Sequence, residues 1–259
     1  VQPSFRGGYA PRKLLIRFHL AAVASVEQSH QHWLESNRTN LVGTITVLEA
    51  ARTRRIPVVY ASSAAVYGDN PAVPLSETAL PNPLSAYGAD KLGSELHAAV
   101  ATCVHGVPTT GFRFFNVYGP RQNPKSPYSG VISIFADHIR RGEPIVINGD
   151  GDQMRDFVYV DDVVQVLVTA MTLPEQRSSV YNICTGCGIT INRLVATIAA
   201  LTGRLPEVSY GPARPGDVRR SIGSPARLIH TFGKCCATHL DRGLAVTLEW
   251  LDRHQRASL

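Results

Sequence analysis

The chain has 259 residues, of which 44% are apolar and 18% are charged. This composition can bury a substantial core, as one large domain or two small ones. The net charge of +6 comes from scattered basic residues, without the like-charge runs or sequence motifs of nucleic-acid-binding proteins, so nucleic acid is not an expected partner. No apolar stretch reaches the roughly 18 residues of a membrane-spanning helix, so no membrane association is expected.

The elements predicted along the chain alternate between helices and short apolar strands. Near 40–54, apolar residues recur at helical spacing. Val58–Ala61 is a short apolar run typical of a buried strand, and Ser62 and Ser63 follow at its carboxyl end, where open α/β sheets bind ligands. The remaining predicted elements are helices at 85–103, 131–142, 161–172, 190–203 and 242–254, strands at 109–115, 144–147 and 179–183, a loop at 119–124 and a turn at 148–151.

Tyr87 and Lys91 lie one helical turn apart in the helix predicted at 85–103 and therefore share a face. At a separation of about 4 Å and an effective dielectric of about 20, an ammonium attracts a phenolate by about 4 kcal/mol, enough to lower the pKa by about three. This predicts that Lys91 lowers the pKa of Tyr87 toward neutrality, where a general base works best. With the hydroxyl of Ser62 or Ser63 nearby, the pattern indicates hydride chemistry at a secondary alcohol, although such a pair alone is more often a solvated helix face.

Five runs of sequence together indicate a family. They are SSAAVYG at 62–68, SAYGADK at 85–91, RFFNVYGPR at 113–121, GDGDQMRDF at 149–157 and RPGDVRRS at 214–221. This order resembles the extended short-chain dehydrogenase/reductases, and within them the NAD-dependent epimerase/dehydratase family with its UDP-glucose and UDP-N-acetylglucosamine 4-epimerases. The resemblance implies an α/β fold, in which a Rossmann-like parallel sheet binds NAD and a smaller interleaved α/β region binds the substrate. It implies a dinucleotide-binding part at 1–118 and a mainly nucleotide-sugar-binding part at 119–259.

The amino-terminal region departs from the family pattern. Members of this family open with a strand, a glycine-rich turn and a helix that hold the NAD pyrophosphate. Here Leu14–Ala22 resembles the family's fourth strand and the turn after it, and Gly7-Gly8 is an isolated pair. The resemblance therefore implies an amino-terminally truncated Rossmann part, in which the strand near 14–20 forms an exposed hydrophobic edge. We expect this chain alone to bind NAD poorly and to have little activity.

The resemblance also implies a set of site residues. The catalytic residues are Ser63, Tyr87 and Lys91. The cofactor-binding residues are Leu20, Ala21, Ala22, Asn40, Ala61, Ser62, Tyr87, Lys91 and Phe114. The substrate-binding residues are Ser63, Asn116, Val131, Val146, Asn148, Arg155, Arg214, Asp217 and Ser221. Asn116, Arg155 and Arg214 are the pyrophosphate candidates, since a planar guanidinium binds phosphate with two parallel hydrogen bonds. Asp217 is expected to bind the uridine ribose. For Asn40 the alternative to a cofactor contact is a helix N-cap, which suits asparagine equally well.

The residues after the catalytic serine bear on the reaction. Dehydratases and decarboxylases of this family have acidic residues there, whereas this chain has Ala64 and Ala65, whose methyl groups transfer no proton. The resemblance therefore implies epimerisation at C4, with Tyr87 taking the C4 hydroxyl proton and NAD the hydride. Ser221 replaces a tyrosine that excludes N-acetyl groups in related epimerases, so UDP-GlcNAc/UDP-GalNAc are expected substrates, with UDP-Glc/UDP-Gal beside them. A UDP-glucuronate 4-epimerase and a catalytically incomplete UDP-sugar-binding remnant stay open. The family implies a homodimer through the helix with Tyr87 and the one near 40–54.

The five cysteines raise the question of a metal site. Cys184 and Cys187 have the spacing of metal ligands, and Cys235-Cys236 would complete a four-thiolate zinc site. Adjacent cysteines suit tetrahedral coordination poorly, so no metal is expected. Free thiols of a cytoplasmic protein are the favoured interpretation.

Overall fold

The computed structural model describes residues 17–126, 129–171, 178–214 and 216–255. The strands are β1 (Arg17–His19), β2 (Val58–Ser63), β3 (Thr109–Phe114), β4 (Asn116–Tyr118), β5 (Ile145–Asn148), β6 (Met154–Tyr159), β7 (Ser179–Ile183), β8 (Gly188–Thr190), β9 (Val208–Gly211) and β10 (Arg220–Ser221). The α-helices are α1 (Val26–Gln31), α2 (Trp33–Asn37), α3 (Gly43–Arg52), α4 (Ala86–His105), α5 (Val131–Arg141), α6 (Val160–Ala170), α7 (Ile191–Thr202), α8 (Ala226–Phe232) and α9 (Leu240–Gln255). A π-helical segment spans Arg38–Val42, and a 3-10 turn spans Ala64–Tyr67.

Four parallel strands form the main sheet, in the order β1-β2-β3-β7. Strands β2 and β3 pair in register from Val58 opposite Thr109 to Ser63 opposite Phe114. Among the described strands, β1 pairs only with β2, and it therefore forms an edge of the sheet. The predicted strand near 14–20 is described from Arg17 onward, and its first residues and Gly7-Gly8 lie outside the described residues.

Helices cover both faces of the main sheet, which is why its central strands are almost continuously apolar. On one face, α3 and α4 pack Leu48 and Ala98 against Tyr60. On the other, α8 packs Phe232 against Tyr181, with ring centroids 4.9 Å apart in an edge-to-face arrangement. Burial of each large apolar side chain contributes about 1.5–3 kcal/mol, so these two layers fix the sheet in place.

The helical region before β2 is longer than predicted. Instead of one helix near 40–54, α2, the π-helical segment and α3 run on without a break, and α1 precedes them. The π-helical segment inserts an extra residue into the turn, a rare irregularity that is frequent at functional sites. Sequence analysis did not predict α1 or α2.

The second region is built on smaller sheets. Strands β4, β6 and β10 pair in parallel, β8 adds antiparallel to β6, and β5 pairs with β9. Helices α5, α7 and α9 form its core, with Ile139, Leu194, Ile198 and Leu248 buried among them. Strand β7 comes from this later half of the chain but belongs to the main sheet, so the two regions interleave. No described helix has the length and apolar character needed to cross a membrane.

Candidate active site

The carboxyl ends of β2 and β3 border a cavity of about 600 Å³. Predicted site residues that line it are Ser63, Tyr87, Phe114, Asn116, Arg155, Arg214, Asp217 and Ser221. The other predicted residues lie outside its lining, namely Leu20, Ala21, Ala22, Asn40, Ala61, Ser62, Lys91, Val131, Val146 and Asn148. Ser63 and Phe114 are opposite one another at the strand ends. This is the edge at which open α/β sheets bind ligands.

Helix α4 brings Tyr87 to the cavity because its first turn packs closely on the 3-10 turn after Ser63. The Ser85 hydroxyl caps the helix by accepting from the Gly88 N–H at 3.0 Å. A Cβ on Gly88 would lie 2.6 Å from the carbonyl oxygen of Ala65, so this approach requires glycine. The side chains of Tyr87 and Ser63 therefore both line the cavity, and Ser63 lowers the pKa of Tyr87 less than burial raises it.

The prediction that Lys91 lowers the pKa of Tyr87 is wrong for this structure. Burial raises the pKa of Tyr87 above its ordinary value, and the nearby Ser63 only partly opposes this. Lys91 Nζ lies 5.7 Å from the centre of the Tyr87 ring and donates instead to the carbonyl oxygen of Ala61 at 2.9 Å. Burial lowers the pKa of Lys91 to about 8, and the charge of Asp90 opposes it. At neutral pH the site therefore holds a protonated phenol beside a buried cation.

Asn40 is completely buried within the π-helical segment. The N-cap interpretation is wrong, because the helix continues through this residue. Its Oδ1 accepts from the Val23 N–H at 2.8 Å, and its Nδ2 donates to the Val23 carbonyl oxygen at 3.3 Å. These bonds secure the loop after β1, which contains the predicted cofactor residues Leu20–Ala22. Asn37 donates to Asp90 Oδ1 at 2.6 Å, so the same helical stretch also contacts α4, the helix with Tyr87 and Lys91.

Beneath the predicted catalytic residues lies a buried polar network that sequence analysis missed. Arg113 donates to both carboxylate oxygens of Glu95, at 2.9 and 2.7 Å, and to the Tyr67 hydroxyl at 2.8 Å. Tyr67 in turn donates to Asn182 Oδ1 at 2.7 Å. The Ser62 hydroxyl donates to Glu95, so it points into the interior and away from the cavity. Glu95 follows Lys91 by one turn, and the two bond to consecutive residues of β2. This one-turn spacing was the signal in the sequence, and the paired contacts hold α4 against the strand that ends in Ser63.

The far end of the cavity is basic. Arg155 forms an ion pair with Asp217, and burial lowers the pKa of Arg155 while that carboxylate opposes the effect. Arg214 Nε and Nη2 lie 3.1 and 3.2 Å from the Asn148 amide oxygen when that amide is turned toward them. Ser221 is the register partner of Arg155 across β10 and β6. The residues predicted to bind the phosphates and the ribose therefore lie together, and Asp217 is paired with Arg155.

Helix α1 forms a cavity wall that sequence analysis missed. Its cavity residues are Val26, Glu27, His30 and Gln31. Ser29, on the opposite face, accepts from the Tyr87 backbone N–H at 3.2 Å and donates to the Val26 carbonyl oxygen at 2.7 Å. The Ser25 hydroxyl caps the helix by accepting from the Gln28 N–H at 3.2 Å. A serine at the N-cap position, followed by residues at helical spacing, is the sequence signal that could have predicted this helix.

Asp156 organises the turn after β7 and reaches neither the cavity nor a metal. It accepts from the N–H and hydroxyl of Thr185 at 2.8 and 2.6 Å, from the Gly186 N–H at 2.9 Å and from the Gly223 N–H at 3.3 Å. Burial raises its pKa, and these hydrogen bonds oppose the change. Cys184 in this turn is a buried free thiol whose pKa burial raises. Within the described part of the chain, His, Cys, Asp and Glu form no group of three or more that could hold a metal ion.

The chain is similar to known proteins over most of its length. Residues 14–184 match the family described as Epimerase: NAD dependent epimerase/dehydratase family. The UDP-glucose 4-epimerase of Mycolicibacterium smegmatis is 35% identical over 252 residues, which cover 96% of this chain and 80% of that protein.

Solved structures show the same similarity. The UDP-glucose 4-epimerase of Thermotoga maritima, determined with UDP-glucose, has a TM-score of 0.88 and 37% identity, and the match covers 92% of this chain and 77% of that one. MoeE5, in complex with UDP-glucuronic acid and NAD, has a TM-score of 0.86 and 39% identity over 92% of this chain and 79% of its own. The predicted parallel α/β fold is confirmed.

Proposed function

The chain belongs to the NAD-dependent epimerase/dehydratase family, and on that premise we propose that it interconverts the C4 epimers of UDP-N-acetylhexosamines and UDP-hexoses. One observation carries this proposal. A single cavity is lined by the side chains of Ser63 and Tyr87 at one end and by the guanidinium groups of Arg155 and Arg214 at the other. A sugar beside the first pair, joined through a diphosphate to uridine at the second, matches this order of chemical groups.

The residues present fit the nicotinamide side of an NAD site. The charge of Lys91 lowers the pKa of His19 on β1, after the larger effect of burial, so Lys91 lies near the carboxyl ends of both β1 and β2. Lys91, Tyr87 and the loop Leu20–Ala22, which Asn40 secures, would hold the cofactor. When bound, NAD supplies a reversible hydride acceptor.

The chain's own residues would handle the proton at C4. Ser63 orients the C4 oxygen, and Tyr87 takes the hydroxyl proton in one direction and returns it in the other. Because burial raises the pKa of Tyr87, the phenolate needs a counter-charge as it forms. Lys91, whose Nζ is 5.7 Å from the ring centre, provides that charge.

The cavity lining supports both the proposed reaction and the proposed range of substrates. Ala64 and Ala65 line the cavity, where a dehydratase needs an acid. Ser221 also lines it, is half-buried and is the register partner of Arg155, so a small side chain lies where the diphosphate would join the sugar, next to C2. We infer that the space beside Ser221 accommodates an N-acetyl group at C2.

Helix α4 also supports a homodimer. Leu96, Val100 and Val104 follow one another at one-turn spacing and are 62%, 51% and 66% exposed. An apolar stripe of this kind on an exposed helix is typical of a helix-to-helix interface. We propose that α4 and the π-helical region with Val42 pack against a second copy of the chain.

The cysteines support a cytoplasmic location. All five lie in the described residues and are free thiols. Unpaired cysteines are typical of reducing compartments, so we propose that the protein is cytoplasmic.

The test is turnover by the purified chain with NAD in excess, together with the NAD content of the protein as isolated. We expect C4 epimerisation of UDP-GlcNAc and UDP-glucose that is slow, because the chain alone is expected to bind NAD poorly, and that is lost in Tyr87→Phe. Tyr210→Phe, which alters an exposed tyrosine outside the cavity, is the matched control and should retain turnover. A chain that binds neither UDP nor a UDP-sugar would refute the proposed site, whatever its NAD content.

A further inference from the structure

Helix α1 borders the sugar end of the cavity rather than the nucleotide end. Its Ser29 accepts from the backbone N–H of Tyr87 at 3.2 Å, and this contact fixes the helix beside the catalytic tyrosine. The cavity face of α1 therefore lies across from Ser63, at the end where the reacting sugar would lie. Arg155 and Arg214 are at the other end, where the diphosphate belongs.

Among the described side chains that line the sugar end, the permanent charge is negative, because the ammonium of Lys91 lies outside the lining and donates to the Ala61 carbonyl oxygen. Glu27 lines the cavity there, is exposed and makes no ion pair among the described residues. Its Oε1 lies 3.5 Å from Gln31 Nε2, a neutral partner on the same helix face. Ala64 and Ala65 line the same end and offer only methyl groups.

The permanent cations of the lining are committed elsewhere. Arg155 is paired with Asp217, and Arg214 faces the amide of Asn148. Neither arginine is on the wall formed by α1. A carboxylate on the sugar would therefore meet Glu27 without a paired cation.

We propose that Glu27 is a specificity-determining residue that restricts this site to uncharged sugars and disfavours a uronate. This inference rests on the proposed UDP-sugar site and names its substrate class. A hexose or N-acetylhexosamine can accept and donate hydrogen bonds with Glu27 and Gln31. Like charges roughly 6 Å apart in a partly hydrated cleft weaken binding about tenfold.

The inference is testable by calorimetric titration of the full chain with UDP, UDP-glucose and UDP-glucuronate, with and without added NAD. The measured quantity is the ratio of the Kd for UDP-glucuronate to the Kd for UDP-glucose. In the unmodified protein we expect this ratio to be about ten and to fall as salt screens the charges. Glu27→Gln should bring it close to one, and Glu27→Lys should invert it.

Glu35→Gln is the matched control, because Glu35 is an exposed acid on the adjacent helix α2 outside the cavity, and its ratio should equal that of the unmodified chain. A purely structural role for Glu27 in the first turn of α1 would weaken both ligands alike and leave the ratio unchanged. Equal Kd values for the two sugars in the unmodified protein, or a ratio that Glu27→Gln leaves intact, would overturn the inference. Failure to bind UDP itself would instead refute the proposed function.

Discussion

Replacing the buried Lys91, which we propose acts in catalysis, with methionine should stabilise the fold while abolishing turnover. Lys91 is 2% exposed, and burial lowers its pKa from 10.5 to about 8. That difference corresponds to about 3 kcal/mol of unfavourable free energy whenever the lysine is protonated in both the folded and unfolded states. Lys91→Met removes this penalty at similar side-chain volume. It also loses the hydrogen bond to the Ala61 carbonyl oxygen, worth about 1 kcal/mol. The expected net gain near neutral pH is about 2 kcal/mol.

The pH dependence of this stabilisation shows whether burial of the Lys91 ammonium is its cause. Below about pH 8 both states of the unmodified chain are protonated at Lys91, so the penalty is complete. Between about pH 8 and the ordinary value of 10.5, the unfolded chain binds more protons than the folded one, so stability rises with pH and the penalty fades. The stabilisation by Lys91→Met should therefore shrink by about 2 kcal/mol from pH 7 to pH 10.

Urea unfolding followed by circular dichroism, without NAD, measures both effects. Lys234→Met, at an exposed lysine, is the matched control and should change the free energy of unfolding little at either pH. If Lys91→Met destabilises the chain at neutral pH, or if its effect is the same at both pH values, the burial argument is wrong.

Three further substitutions probe the other contacts. Glu95→Gln leaves Arg113 buried without its bidentate carboxylate and should lower the free energy of unfolding by about 3–5 kcal/mol; a loss under about 1 kcal/mol in urea would contradict this. Asp156→Asn removes the carboxylate oxygen that accepts from backbone N–H groups such as that of Gly223. We expect the free energy of unfolding, measured by thermal unfolding, to fall by about 1–3 kcal/mol. Unchanged stability would refute the role of that carboxylate. Ser221→Tyr should abolish turnover of UDP-GlcNAc and spare UDP-glucose, and turnover of both substrates in this variant would refute the inference about the space at C2.

Local patterns accounted for most of the elements around the site. The helix that carries Tyr87, predicted at 85–103, spans Ala86–His105, and the strand predicted at 109–115 spans Thr109–Phe114. Periodicity and chain-breaking residues are local properties, so these elements were readable directly. Short strands with mixed polarity, such as Met154–Tyr159, were not, because their pairing partners lie far away in the chain.

The sequence by itself determined the alternation of strands and helices, the family and the placement of Ser63 and Tyr87 at one edge of the sheet. These features follow from the order of residues along the chain, because the carboxyl ends of neighbouring parallel strands lie at the same edge of the sheet. Only the tertiary structure decided that burial raises the pKa of Tyr87, that Arg155 pairs with Asp217 across 62 positions, and that Glu27 lines the same cavity as Tyr87. Desolvation and charge pairing depend on distances between residues remote in sequence, which spacing along the chain does not specify.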